Sequence, residues 1–268
     1  MSLFHLLLVA IIQGLTEFLP VSSSGHLILL PVLTGAQDQG QIIDVAVHLG
    51  TLVAVVIFFW REVSEAALGL PRLARGKIDT PGAKLALLLI IATIPAIIFG
   101  LMLKLTGADD MMRSIKVIGA TMIGFGIVLY FADQKGNTTR KTKDWGFRDA
   151  IVIGLWQAVA LIPGTSRSGA TITGARILGF GREDAARISM LMSIPTILAA
   201  GGLLGIEVAA TANLQAVKDG AIAAAFSCVA ALLALTLMMR LLRSVSFTPY
   251  VIYRVLLGAA LLWLAYAA

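Results

Sequence analysis

Six stretches of this sequence are long and apolar enough to cross a lipid bilayer as helices. They lie at about 42–60, 84–104, 114–132, 187–206, 220–240 and 249–267. A helix needs about 20 apolar residues to span the hydrocarbon core. Only 13% of the residues are charged and the mean hydropathy is +0.91, whereas about one quarter of a soluble domain is charged. The sequence therefore predicts an all-α integral membrane protein with six transmembrane helices.

Two further apolar regions are interrupted by small and polar residues. Residues 3–33 are broken at Ser22–His26, and residues 150–178 are broken at Pro163–Gly169. Non-helical backbone at membrane depth is tolerated only where it is buried in protein or lines a cavity. We therefore expect each region to form a re-entrant helical hairpin with its tip inside the protein.

The two interrupted regions also resemble each other. At an offset of 144 residues, four residues of the first region meet identical residues of the second: Gln13 and Gln157, Ser22 and Ser166, Ser24 and Ser168, Gly25 and Gly169. We interpret the chain as one membrane domain of two repeats, 1–132 and 149–268, joined by the basic linker 133–148. A re-entrant hairpin adds no crossing, so each repeat crosses the membrane three times. The second repeat then enters from the opposite side, which is an inverted-topology repeat.

Lysine and arginine are distributed unequally between the two sides of this layout. Fifteen lie in the loops of one side, at 61–84, 133–148, 176–187 and 240–247, against four on the other. Because cytoplasmic loops carry the excess of basic residues, the first side is predicted to be cytoplasmic. Both termini and the mouth of the first hairpin would then be extracytoplasmic. No Lys or Arg precedes Arg61, so we expect the first apolar segment to belong to the mature protein.

Gln13 and Glu17 are four residues apart, so they share one face of a helix. An ionised carboxylate at membrane depth is costly, and such groups face a cavity or a partner. Glu17 is therefore a candidate metal ligand, general base or proton carrier. The alternative is a shallow glutamate that solvates the mouth of the hairpin.

The run from Ser22 through Ser23, Ser24 and Gly25 to His26 offers hydroxyl groups ahead of a short helix. A helix N-terminus with exposed N–H groups suits a phosphate, and histidine acts as acid or base near neutral pH. A serine beside a histidine is also a candidate nucleophile and base. A polar turn that satisfies its own backbone would have the same composition.

Arg167 is the only basic residue within the second break, Pro163–Gly169, and Ser166 and Ser168 flank it. A guanidinium group binds phosphate oxygens in a bidentate manner, and glycines such as Gly169 allow a ligand to approach the backbone closely. These features favour a phosphate clamp over an arginine that extends to the interface.

Other embedded polar residues carry weaker signals. Asp44 and His48 share a helix face and are expected either to line the same cavity or to pair with one another. Arg254 lies one turn into the last span, which favours extension of its side chain to the interface. Cys228 is interpreted as a packing residue. The basic balance suggests an anionic substrate rather than nucleic acid, because no basic and aromatic patch accompanies it.

Together, QGLTEFLPVSSSGH (13–26) and PGTSRSGATI (163–172) resemble the undecaprenyl-diphosphate phosphatase family, the bacitracin-resistance membrane phosphatases. The resemblance covers essentially the whole chain, including SFTPYVIYR (246–254). It implies a hydrolase of the bacterial inner membrane that converts undecaprenyl diphosphate to undecaprenyl phosphate and inorganic phosphate, and so recycles the lipid carrier for peptidoglycan synthesis. It also implies the inverted-repeat fold and dependence on a divalent cation, Mg or Ca.

The family motifs carry over residue by residue. The acidic motif falls on Gln13 and Glu17; the family has Glu or Gln at the first position, so this chain keeps one carboxylate, Glu17, as the metal ligand. With the reading of the residues above, Ser23 is the expected nucleophile, assisted by His26 or Glu17, and Arg167 the expected charge stabiliser. The expected substrate-binding residues are Gln13, Ser22, Ser24, Gly25, Ser166, Ser168, Gly169 and Thr171.

A second class of function uses the same architecture. Inverted repeats with broken helices also occur in secondary transporters, so a lipid-phosphate flippase or an ion-coupled carrier is the alternative, with Glu17 as its proton site. A carrier does not need a serine and a histidine beside an arginine clamp, which favours the enzyme. Gly-rich faces such as 119–126 pack helices within one chain or in a homodimer.

Overall fold

The computed structural model describes residues 2–35, 40–107, 112, 114–209 and 214–267, without the side chains of residues 32–34 and 203–209. These residues form helices joined by short turns, with a 3₁₀ turn at Thr142–Asp144. The α-helices are α1 (Leu3–Thr16), α2 (Ser23–Thr34), α3 (Gly40–Phe58), α4 (Trp60–Ala74), α5 (Pro81–Thr106), α6 (Ile115–Lys135), α7 (Phe147–Val159), α8 (Arg167–Ile177), α9 (Arg182–Ala209), α10 (Leu214–Leu241) and α11 (Thr248–Ala267).

The six predicted spans are confirmed as helices that are long and apolar enough to cross a membrane. They are Gly40–Phe58, Pro81–Thr106, Ile115–Lys135, Arg182–Gly202, Leu214–Leu241 and Thr248–Ala267. Large apolar side chains remain on the outer surface of these helices; Leu105, for example, is 77% exposed and Leu233 is 65% exposed. Such a surface is compatible with contact to lipid.

Local sequence signals set several helix ends. Thr80 caps α5 and Pro81 occupies its first turn, while Gly107 at φ +68° ends it. Proline at the start and glycine at the end of a helix are the favoured arrangement. The acidic residues Glu183 and Asp184 lie in the first turn of α9, where they interact favourably with the helix dipole.

The loop expected at 61–84 is wrong in its first part, because residues Trp60–Ala74 form the amphipathic helix α4. This helix buries Ala66 and Gly69 and exposes Trp60 and Leu68. A Cβ on Gly69 would overlap the backbone at residues 82 and 83, so glycine is what lets α4 lie directly on α5. Because its charged residues lower the local hydropathy, the sequence did not indicate a helix here.

Both interrupted regions form pairs of short helices, but each break begins earlier than predicted. The first break runs from residue 17 to 22, and the second from 160 to 166. The motif Ser23–His26 therefore forms the first turn of α2, and Arg167 opens α8. The reason is that Ser22 and Ser166 take positive φ angles of 71°, and each helix restarts at the following residue.

The two short-helix pairs are held by long helices from the other half of the chain. Helix α1 packs on α10, and α7 packs on α5. The approach is close enough that a Cβ on Gly14 would lie 2.5 Å from the carbonyl oxygen of Ser227, and one on Gly154 would lie 2.6 Å from that of Ala92. The long helices also pack in pairs, α3 on α9 and α10, and α6 on α11.

A buried charge cluster joins the ends of α6, α8, α9 and α11. Asp133 accepts hydrogen bonds from Arg176 (3.1 Å), from Arg182 (2.8 Å) and from the N–H of Phe247 (3.1 Å). Arg176 is fully buried and also donates to backbone carbonyl oxygens of the linker. In the same region Arg140 donates to Asp149, and this hydrogen bond raises the pKa of Arg140.

The contact between α3 and α10 gives a test of this packing. A Cβ on Gly50 would overlap the carbonyl oxygen of Ala224, whereas a Cβ on the exposed Gly124 would meet nothing within 4 Å. We expect Gly50→Ala to lower the free energy of unfolding by about 1–3 kcal/mol, the usual cost of overpacking. Gly124→Ala, the matched control, is expected to leave it unchanged or raise it by up to about 1 kcal/mol. Thermal unfolding in detergent measures both, and equal midpoints for the two variants would contradict this packing.

Candidate active site

The two turns that interrupt the short-helix pairs meet through one ion pair. Nη2 of Arg167, at the start of α8, donates to Oε1 of Glu17 across 2.9 Å. Both side chains are largely enclosed, with 15% of the Arg167 side chain and 7% of the Glu17 side chain exposed. Residues 150 positions apart in the chain are thus joined, and the sequence-predicted carboxylate and clamp lie in one site.

The second carboxylate oxygen of Glu17 accepts hydrogen bonds from two neighbouring side chains. Oε2 accepts a hydrogen bond from Nε2 of Gln13 at 2.9 Å and one from the hydroxyl of Ser23 at 2.8 Å. Gln13 is fully buried and its Oε1 has no hydrogen-bond partner among the described residues. Glu17 is 8% exposed, so the interpretation of a shallow, solvated glutamate is wrong.

The two turns have the same local construction. In each, a serine at φ +71° is followed two positions later by a serine whose hydroxyl lies 3.1 Å away, as in the pairs Ser22–Ser24 and Ser166–Ser168. Ser168 also donates to the carbonyl oxygen of Leu19 at 2.9 Å, which ties the second turn to the first. A non-glycine residue in this region of φ is uncommon and marks strain at functional sites.

The start of α8 presents donors that the protein does not use. Nη1 of Arg167 is buried without a hydrogen-bond partner in the described part of the chain. The Ser166 hydroxyl accepts from the N–H of Gly169 at 3.1 Å, but the N–H groups of Arg167 and Ser168 have no acceptor among the described residues. A helix N-terminus with free N–H groups and a guanidinium beside it is suited to bind an anion.

His26 has partners other than the serine nucleophile that was expected to use it. Its Nδ1 lies 2.7 Å from the carbonyl oxygen of Ser22, and its Nε2 lies 2.6 Å from the hydroxyl of Tyr253. A carbonyl oxygen only accepts, which assigns the proton of the neutral ring to Nδ1 and leaves Nε2 to accept from Tyr253. The Ser23 hydroxyl donates to Glu17 instead. Tyr253, from the stretch SFTPYVIYR, is a site residue to which the sequence assigned no role.

His48 joins the site from α3. Its Nε2 lies 3.8 Å from Oε2 of Glu17, and its side chain is 39% exposed. Its Nδ1 lies 2.7 Å from the backbone carbonyl oxygen of Asp44. His48 thus contacts both the carboxylate of Glu17 and the backbone of Asp44. Its position inside an apolar span was the signal, but the sequence did not connect it to Glu17.

Three residues occupy the far side of the second turn. Thr171, which was expected to bind the substrate, is fully buried. Its hydroxyl donates a hydrogen bond to the carbonyl oxygen of Arg167 (2.8 Å) and lies 2.6 Å from the hydroxyl of Ser189. Gly169 lies against Arg254, because a Cβ there would be 2.6 Å from Nη1 of the arginine. Arg254 is 0% exposed. The expectation that its side chain extends to the membrane interface is therefore wrong.

An apolar groove adjoins the site. It consists of two cavities of about 280 and 300 Å³ that share Leu19, Pro249 and Tyr250. One end is lined by His26 and Tyr253, and the other runs between the ends of α10 and α11. The groove therefore leads from His26 and Tyr253 along an apolar surface.

Comparison with known proteins decides the family. Residues 6–260 match the family model described as "Bacitracin resistance protein BacA". The chain belongs to the BacA family.

This BacA-family chain is similar over its full length to several proteins of one name. The chain is 68% identical to "Undecaprenyl-diphosphatase" of Jannaschia sp. (strain CCS1) and 69% identical to the protein of that name from Dinoroseobacter shibae. It is 67% identical to that of Ruegeria pomeroyi. Each alignment covers 100% of this chain and 100% of the relative. With its six apolar helices, this BacA-family chain is an integral membrane protein.

The ion pair between Glu17 and Arg167 gives a prediction on stability. Arg167→Met leaves a buried carboxylate without its cation, and breaking a buried pair in this way costs about 3–5 kcal/mol. The double variant Glu17→Gln, Arg167→Met removes both charges and is expected to recover at least about 1 kcal/mol of that loss. Thermal unfolding of the single and double variants measures the coupling. Strictly additive effects would show that the two side chains do not pair in the folded protein.

Proposed function

We propose that this BacA-family protein is a membrane phosphatase that hydrolyses undecaprenyl diphosphate to undecaprenyl phosphate and inorganic phosphate. The observation that supports this best is the buried guanidinium of Arg167 beside the carboxylate of Glu17. Nη1 of this arginine has no partner among the described residues, and the carboxylate accepts a hydrogen bond from the hydroxyl of Ser23. The names of the full-length relatives support the same substrate. The product is the lipid carrier needed for bacterial cell-wall synthesis, and the enzyme belongs in the inner membrane.

The terminal phosphate binds at the start of α8. Arg167, Ser166, Ser168 and the free backbone N–H groups stabilise the charge that develops on the transferred phosphoryl group. Ser22, Ser24 and Gly25 contribute from the facing turn. Thr171 acts behind this surface, because its hydroxyl supports the carbonyl of Arg167.

Ser23 is the nucleophile in this proposal. Its oxygen forms a bond to the terminal phosphorus as the bond from that phosphorus to the bridging oxygen breaks, and undecaprenyl phosphate leaves. The hydroxyl proton passes to Glu17, which already accepts the hydrogen bond from Ser23. Water then cleaves the phosphoserine to release inorganic phosphate. His26 is bonded to Tyr253, and this favours Glu17 as the base.

The apolar groove is proposed to take the part of the prenyl chain next to the diphosphate. Leu19, Pro249 and Tyr250 line both of its cavities, and their surfaces match the chemistry of an isoprenoid. His26 and Tyr253 then lie where the polar headgroup meets the tail. A lateral groove would leave the rest of the long chain in lipid.

The two halves are proposed to form an inverted repeat with re-entrant hairpins. Three similarities support this. The φ angles of Ser22 and Ser166 are equal, and each serine lies 3.1 Å from the hydroxyl of a second serine. Helix α1 packs on α10 as α7 packs on α5. The charge cluster around Asp133 gathers the ends of α6, α8, α9 and α11, and these ends belong to the side with the excess of basic residues. We assign that side to the cytoplasm, which puts the termini and the mouth of the site outside.

A divalent cation, Mg or Ca, would be held by Glu17 and Gln13. The amide of Gln13 contacts the carboxylate through Nε2, and its Oε1 is buried without a partner among the described residues. Carboxylate and amide oxygens are the ligands these hard cations prefer. No cluster of three or more His, Cys, Asp or Glu side chains occurs among the described residues, so substrate phosphate and water would complete the coordination. When bound, the ion would neutralise phosphate charge and polarise the oxygens of the diphosphate.

Phosphate release from undecaprenyl diphosphate by purified protein in detergent tests the proposed function. We expect wild-type turnover, a loss of at least about 100-fold in Arg167→Ala, and a loss of similar size in Ser23→Ala. Ser64→Ala, on the exposed face of α4, is the control and should keep wild-type activity.

Detergent removes any membrane gradient, so turnover there separates an enzyme from a coupled carrier. Absence of turnover in well-folded wild-type protein would overturn the phosphatase in favour of the transporter. Mass spectrometry of protein quenched with denaturant at neutral to alkaline pH, where phosphohistidine survives, locates the phosphoryl group. A phosphoryl group on His26 would refute Ser23 as nucleophile while leaving the phosphatase intact.

The proposed cation gives a separate prediction. EDTA should abolish turnover, and added Mg or Ca should restore it. Gln13→Glu supplies a second carboxylate and should lower the cation concentration needed for half-maximal activity by about 10-fold. The matched control is Gln157→Glu, because the amide oxygen of Gln157 is also buried without a partner but the amide donates to Ala92 rather than to a carboxylate. Insensitivity of both wild type and Gln13→Glu to EDTA would contradict the cation site.

A further inference from the structure

Arg254 holds the backbone of the turn that presents Arg167. Its Nη2 donates to the carbonyl oxygens of Gly164 (3.2 Å) and Thr165 (2.8 Å), the two residues that precede Ser166. Its Nε donates to the carbonyl oxygen of Met122 on α6 at 3.3 Å. One guanidinium on α11 thus connects α6 to the second turn.

The charge of Arg254 is not balanced by a carboxylate within the described part of the chain. Its partners there are three carbonyl oxygens, and its Nη1 has none. The other fully buried arginine, Arg176, differs because it pairs with Asp133. A buried, unneutralised cation at membrane depth costs several kcal/mol. A polyanionic ligand at the neighbouring turn would offset this cost.

Arg254 contacts the backbone on both sides of Ser166. Before it, the arginine donates to the carbonyl oxygen of Gly164, a residue with a φ of +85°. After it, a Cβ on Gly169 would lie 2.6 Å from Nη1 of Arg254. The arginine therefore lies against both the entry to the turn and the first turn of α8.

The geometry of the peptide bond between Thr165 and Ser166 explains how this contact orients the backbone. In a trans peptide the C=O and N–H groups point in opposite directions. Because the carbonyl of Thr165 points at Arg254, the N–H of Ser166 points away from it, and that N–H has no acceptor among the described residues. The arginine thus orients a backbone donor at the start of α8, next to Arg167.

We propose that Arg254 is a positioning residue for phosphate binding: it fixes the Gly164–Thr165 backbone, and its unpaired positive charge strengthens anion binding at the start of α8. This inference deepens the proposed function and rests on it. Arg254 does not touch the reacting atoms and acts through the turn and through Arg167.

Kinetics and stability of matched variants test the proposal. Arg254→Lys keeps the charge but cannot reach both carbonyls, Arg254→Met removes the charge, and Gly169→Ala pushes against Nη1. We expect kcat to fall by about 10- to 100-fold in Arg254→Lys and further in Arg254→Met. Arg176→Lys, at the other end of α8, is the control. It should lower the unfolding midpoint and leave kcat per folded molecule unchanged.

A double-mutant cycle separates positioning from simple stabilisation. If Arg254 acts through the turn that carries Arg167, then Arg254→Lys should reduce kcat by less than about threefold in an Arg167→Lys background. Multiplicative losses in the double variant would overturn the proposal. So would wild-type kcat in Arg254→Lys, or a loss that follows only the folded fraction.

A binding readout distinguishes failure of this inference from failure of the phosphatase. Inorganic diphosphate should raise the unfolding midpoint of the wild type, since a ligand of the folded state stabilises it. The shift should be lost in Arg254→Met and kept in Arg176→Lys. An equal shift in Arg254→Met would refute the role of Arg254 even if wild-type turnover is found. The expected loss of the shift would support that role even if turnover is absent.

Discussion

The ion pair between Glu17 and Arg167 is the interaction on which the site depends. Each charge is buried and would cost several kcal/mol alone, so the pair stabilises both turns in their observed positions. The pair fixes the separation of two helix starts that come from different halves of the chain. It also leaves the second polar atom of each side chain outside the pair, because Oε2 of Glu17 accepts a hydrogen bond from Ser23 and Nη1 of Arg167 has no partner among the described residues.

The sequence predicted those parts of the fold in which local physics decides. Six long apolar segments leave no alternative to spanning helices, because backbone in lipid must satisfy its own hydrogen bonds. The two interruptions were found for the same reason, from small and polar residues in an apolar run. Their bounds were wrong because Ser22 and Ser166 end the turns with positive φ angles, a state that composition does not reveal. Helix α4 was missed because its charged residues give it a low mean hydropathy.

Long-range contacts in the site were only partly accessible from sequence. The motifs around Glu17, Ser23 and Arg167 were recognised, but the partners that come from other helices were not, namely His48 from α3 and Tyr253 from α11. Arg254 carried a signal that was misread. Its distance from the end of the span suggested a side chain extended to the interface, whereas the side chain turns inward to carbonyl groups 89 and 90 positions away in the chain.

The contact between α4 and α5 affects how the protein responds to the membrane around it. Gly69 and Gly82 bring the two helices to backbone contact, so α4 cannot tilt independently of α5. Trp60 and Leu68 are exposed on α4, so this helix presents apolar side chains to the lipid beside α5. A bilayer thicker or thinner than the spans would then be accommodated by lipid deformation and by tilt of the outer helices. The depth of the polar cluster below one membrane surface would stay constant between membranes of different thickness.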